Sequence, residues 1–146
     1  MFLSTCSNVG AALWKLDPSA GTVKSLWAAG DRLDCHYATP VPAGERLIGF
    51  HGRQETGTVL RCIDAATGEV AWSSERLPAG TVSLAGNTLI VLTERGELIL
   101  AEADADEFKP TARGQILGNG TRALPAISGG RLYARDTKRL VCVDLN

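Results

Sequence analysis

The chain has 146 residues, 45% of them hydrophobic and 21% charged, a composition that supports one compact unit with its own core and excludes a disordered tail. Fifteen Lys and Arg against 16 Asp and Glu leave a formal net charge of -1, which excludes capture of nucleic acid by bulk electrostatics. The longest apolar runs, such as Leu89–Leu92, are far too short to cross a bilayer as a helix.

In chain order, Phe2–Thr5 reads as a short strand and Gly10–Asp17 as a second. The turn Asp17–Gly21 follows, in which the carboxylate accepts from turn amides and the glycine supplies the positive φ that closes a hairpin; an aromatic strand at Leu26–Trp27 completes the unit. The same order returns at Tyr37–Val41, Leu47–Phe50, Gly57–Asp64, a second turn Asp64–Gly68, and Val70–Trp72. It returns again at Thr81–Leu84, Leu89–Leu92 and Gly96–Ala103, where Ala103 and Phe108 stand for the Asp and the Trp. A weak helical pattern from Leu100 to Phe108 is read as a degenerate turn between a third and a fourth strand. Ala123–Ile127, Leu132–Arg135 and the stretch 137–144 close the series.

Four antiparallel strands recurring roughly every 40 residues specify a β-propeller. The fold class expected is all-β, with about three and a half four-stranded blades over 1–146 and blade strands within 1–29, 36–74, 80–109 and 121–146. The first unit lacks an opening strand and the last lacks a closing one, which leaves raw edges. The chain therefore reads as part of a longer ring, with a homodimer that completes the ring or a four-bladed monomer as alternatives. The opening residues do not form a secretion signal, so the protein is cytoplasmic or its true start is missing.

The segment Leu60–Trp72 resembles the repeat of pyrroloquinoline-quinone-type (PQQ-like) propellers, and Asp17–Trp27 resembles it nearly as well. That resemblance implies that Trp27 and Trp72 dock between adjacent blades, with Asp17, Gly21, Asp64 and Gly68 shaping the turns. It also implies an extracytoplasmic, often periplasmic, bacterial protein. Quinoprotein dehydrogenases of this fold carry a vicinal Cys pair, a calcium site and a catalytic Asp. No adjacent Cys pair occurs here and no Asp matches the catalytic one, so neither bound quinone nor enzyme activity is expected.

Loops that would share one face carry Cys35, His36, Tyr37, His51, Arg53, Glu94, Arg95 and Arg135, the expected interaction face. Glu55, Arg122 and Asp136 belong to the same rim or to a central funnel. Cys6 and Cys35 are read first as free buried thiols and next as a disulfide; Cys6, Cys35, His36 and His51 have the chemistry of a zinc or copper site, but no metal is expected there. Cys62 and Cys142 read as small core residues. The function expected is a non-catalytic scaffold for protein or ligand binding, partnered by a protein or by further blades. The alternative is a quinone- or metal-dependent oxidoreductase completed by upstream blades.

Overall fold

The computed structural model describes residues 1–6 and 9–145; Ser7 and Asn8, in the loop that begins at Cys6, and Asn146 lie outside the described residues. Fourteen strands and no helix occur among the described residues. The first sheet holds β1 (Phe2–Thr5), β2 (Gly10–Asp17) and β3 (Thr22–Ala29). The second holds β4 (Val41–Ala43), β5 (Arg46–Arg53), β6 (Gly57–Asp64) and β7 (Val70–Leu77). The third holds β8 (Gly80–Ala85), β9 (Thr88–Thr93), β10 (Glu97–Glu102) and β11 (Pro110–Gln115). The fourth holds β12 (Ala126–Ser128), β13 (Arg131–Arg135) and β14 (Leu140–Asp144). Each sheet is an antiparallel meander in chain order, so the expected run of three, four, four and three strands is present. These are the blades of a propeller.

The core lies between sheets. Leu33, Cys35, Leu47 and Ile63, with Phe2 and Trp27, fill the layer between the first and second sheets. Phe50, Leu60 and Trp72 meet Val82, Leu89 and Val91 between the second and third. Ile90, Leu92 and Leu98 meet Leu132 and Ala134 between the third and fourth. Strand β9 shows why an unbroken apolar run can be a strand: Leu89 and Val91 face one neighbour, Ile90 and Leu92 the other, and all four are at most 1% exposed. Burial of each contributes about 1.5–3 kcal/mol.

Trp27 and Trp72 each reach out of their own sheet to the backbone of the next. Trp27 Nε1 donates to the Ala65 carbonyl of the next sheet at 3.0 Å. Its ring lies directly over Gly68, where a Cβ would come within 2.9 Å of indole carbons. Gly68 has φ +74°, so both the backbone and the close approach require glycine. Trp72 Nε1 donates to Ala105 O at 3.1 Å, and its ring stacks on Phe108 at 6.1 Å. Asp64 Oδ1 accepts from the Thr67 amide and hydroxyl, and Asp17 Oδ1 from the Ser19 and Ala20 amides and the Ser19 hydroxyl.

Three details differ from the sequence reading. Register pairs Arg46 with Asp64 and Thr88 with Glu102, so Glu102, not Ala103, takes the Asp position. Phe108 precedes β11 rather than lying in a strand, and it reaches Trp72 from the connection. Cys62 is fully buried, whereas Cys142 is exposed, because its side of β14 is not covered by any sheet of this chain.

Candidate interaction face

One end of the sheets carries both the connections that lead into each blade and the hairpin tips between its second and third strands, and hydrogen bonds tie the two together. The Gly52 amide donates to Asp34 O at 3.0 Å, and the Glu94 amide donates to Ala79 O at 2.6 Å. At the fourth sheet a side chain does this job: Asp136 Oδ2 accepts from the Gly118 amide at 3.0 Å, and Oδ1 accepts from the Lys138 and Arg139 amides at 2.7 Å each. These amides hold the Asp136 carboxyl down at about 2.

The loop 30–37 is the most heavily fastened segment. His51 Nδ1 accepts from the Asp34 amide at 3.0 Å, which fixes that ring nitrogen as unprotonated. Burial, helped by Arg61, pushes the imidazole below its usual pKa. The Ser4 hydroxyl accepts from the Cys35 amide at 2.8 Å and donates to Leu33 O. Arg61, from β6, donates to the Asp31 and Arg32 carbonyls at 2.7 and 3.0 Å. Neither Ser4 nor Arg61 was singled out from the sequence, since nothing in the pattern of a strand marks a residue that braces a neighbouring loop.

The candidate residues separate into groups. Cys35 is buried, and burial, more than the neighbouring Asp34 and Cys6, drives its thiol up to about 11 against the opposing Ser4 hydrogen bond. Cys6 and Cys35 are both free thiols. Among the described residues no three His, Cys, Asp or Glu side chains converge on a point where a metal would sit. His36 packs edge-on against Tyr37 with ring centroids 5.7 Å apart, and the Glu55 carboxyl, held below its usual range chiefly by its own backbone amide and also by Arg53, lies 3.4 Å from the Arg53 guanidinium. Glu94 pairs with Arg122 at 3.5 Å. Tyr37 feels both charges, and burial, assisted by Glu94, pushes its hydroxyl up. Arg95 is exposed beside Glu94, and its carbonyl accepts from Gln115 Nε2 at 2.6 Å. Arg135 is exposed on the fourth sheet, paired across the ladder with Leu140.

A cleft of about 390 Å³ opens where the innermost strands meet, lined by Tyr37, Pro40, Val41, Thr81, Arg122 and Leu124 among others. Its walls come from β4, β8 and the connections that lead into the second and fourth sheets. It is therefore the axial cleft of the blade array.

Among solved structures, the chain is similar to the computationally designed protein Ika8, with a TM-score of 0.66 at 12% identity, over 94% of this chain and 41% of that one. It is also similar to BamB from Moraxella catarrhalis, with a TM-score of 0.61 at 16% identity, over 91% of this chain and 38% of that one. The chain thus spans about two fifths of the length of these structures. No curated protein matches it. The family model described as outer membrane protein assembly factor BamB matches residues 55–145, well over half of the sequence, and the chain belongs to that family of PQQ-like propellers.

Proposed function

We propose that the chain is a non-catalytic scaffold, a run of blades from a longer PQQ-like repeat protein, whose loop face binds a protein partner on the extracytoplasmic side of a bacterial cell. The observation that carries this reading is how the polar side chains of the face are used. His51, Asp136 and Arg61 spend their hydrogen bonds on loop backbone, so the face is rigid and presents a preorganised surface. Preorganisation of this kind suits recognition, in which a surface that orders nothing on binding loses little entropy. Membership in a family described as an outer membrane protein assembly factor supports a protein as the partner and the periplasm as the compartment.

A further blade fits the open flank of the first sheet. The turn Asp17–Gly21 has the same left-handed glycine as Asp64–Gly68, yet nothing lies within 4 Å of the Cβ position of Gly21. An indole from a preceding blade would sit there as Trp27 sits on Gly68. Leu3, Leu16, Val23 and Leu26 are all about half exposed on the same sheet. The test is site-specific photocrosslinking in the producing cell, with the photoreactive residue at Arg53 or Arg95 and a control at Thr111 on the outer rim. Discrete adducts to one polypeptide from the loop-face positions and none from Thr111 are expected. Equal labelling from all three positions, or none from the face, overturns the proposal.

A further inference from the structure

Two consecutive residues of β5 hold both backbone groups of Asp34. His51 Nδ1 accepts from the Asp34 amide at 3.0 Å, and the Gly52 amide donates to Asp34 O at the same distance. Cys35 follows, bridged to Gly52, and the chain runs on at once into His36 and Tyr37, both exposed on the interaction face. The bond to the imidazole differs in kind from the others that fasten this loop, because its acceptor titrates. A neutral ring accepts through Nδ1, whereas an imidazolium carries N–H on both nitrogens. Protonation therefore sets two N–H groups against each other and leaves the Asp34 amide without its acceptor.

The surroundings fix the direction of the response. The ring is half-buried, on the side of β5 that Leu47 turns toward the first sheet. Burial, and after it Arg61 from β6, oppose a positive ring, while Asp31 from the loop favours one. Arg61 also braces the Asp31 and Arg32 carbonyls, so a charged His51 would stand against the cation that holds the same loop. At the end of β1, Cys6 acts on the Cys35 thiol, which at about 11 does not titrate near neutrality. A ring that holds its proton less tightly when fastened than when free tips the balance toward release as the pH falls below the ordinary imidazole range. Asp34 has the opposite sign: burial and then Asp31 raise its carboxyl, so proton uptake there favours the fastened loop.

We propose that His51 is a pH-sensitive fastener of the interaction face: a proton on Nδ1 breaks the bond to Asp34 and loosens the loop that presents His36 and Tyr37. The inference rests on the loop-face reading, to which it adds regulation. A partner that recognises the preorganised loop is held at neutral pH and let go in acid, because a loosened loop must be ordered again on binding.

The test is amide hydrogen exchange of the full chain by NMR between about pH 7.5 and 5, each rate divided by the free-peptide rate at that pH. Protection of the Asp34 amide should fall by about threefold or more with acid, in step with the titration of the His51 ring. In His51→Asn, whose Oδ1 can stand where Nδ1 stood without titrating, protection should stay level. His36→Gln and Asp34→Asn should keep the decline. Level protection in the wild type, the same decline in His51→Asn, or ring-nitrogen shifts that place the neutral proton on Nδ1 overturn the proposal. Level protection alongside discrete loop-face crosslinks sinks this inference alone, and acid-released protection without those crosslinks sinks only the loop-face reading.

Discussion

Gly68→Ala isolates the contact on which blade docking turns. At φ +74° an alanine costs about 1–2 kcal/mol in backbone conformation alone. The new Cβ would also lie 2.9 Å from Cδ2 and Cε3 of Trp27, and overpacking of that kind costs about 1–3 kcal/mol. If the indole retreats instead, the 3.0 Å bond to Ala65 O is lost, worth about 1 kcal/mol. The expected loss is therefore about 2–5 kcal/mol. Gly21→Ala is the internal control, because its φ is +63° and its Cβ meets nothing, so it should cost only the backbone share of about 1–2 kcal/mol. Urea unfolding followed by far-ultraviolet circular dichroism measures both without relying on the indole as reporter. In a Trp27→Ala background the Gly68→Ala loss should shrink to the Gly21→Ala value. Losses at Gly68 and Gly21 that agree within about 0.5 kcal/mol in the wild-type background would refute the docking argument.

Trp72→Ala removes a nearly buried indole from the layer between the second and third sheets and should cost about 3–5 kcal/mol, measured in the same way; a loss below about 1 kcal/mol would remove Trp72 from the core. The Asp136 carboxyl, held at about 2 against an ordinary 3.8, contributes stability that is present above pH 3.8 and disappears as the pH falls through 2. Asp136→Asn should lower the melting temperature at neutral pH and flatten its acid decline, and superimposable melting profiles for the two proteins would contradict this. In the folded chain Cys142, being exposed, should react with maleimide promptly, while Cys62 and Cys35, the latter with its thiol pushed up to about 11, wait for denaturant. Peptide mapping by mass spectrometry reads this, and labelling of Cys62 at the rate of Cys142 would contradict the burial.

The meander was legible because glycine turns and period-two alternation are local signals that survive without tertiary context. The turn Asp64–Gly68 showed its carboxylate and its positive-φ glycine in sequence, but the Trp27 ring that lies over Gly68 comes from another sheet and is visible only in the structure. Glu102 was misplaced by one position because β10 is shorter than β6, so counting from the preceding glycine overshoots. Cys142 matched Cys62 in strand position, but burial depends on the neighbouring sheet and not on the strand. Tyr37, Glu94 and Arg122 come together from three loops far apart in the chain, and that grouping leaves no trace in local composition. His51 and Cys35 both help to fasten the loop 30–37, work that is visible only in the hydrogen bonds.

Strand β11 is exposed at all six positions and is held by its ladder to β10 and by the fork of Arg113 on Glu97, at 2.8 and 3.1 Å. Backbone pairing asks nothing of side-chain identity except that proline stay where no donor is needed. The perimeter of this blade is thus the stretch of the chain most open to rewriting. Epitopes, surface charges or attachment points can be grafted at 111, 112 and 114, with Arg113 and Gln115 kept for their hydrogen bonds, while the packed layers between the sheets keep their composition.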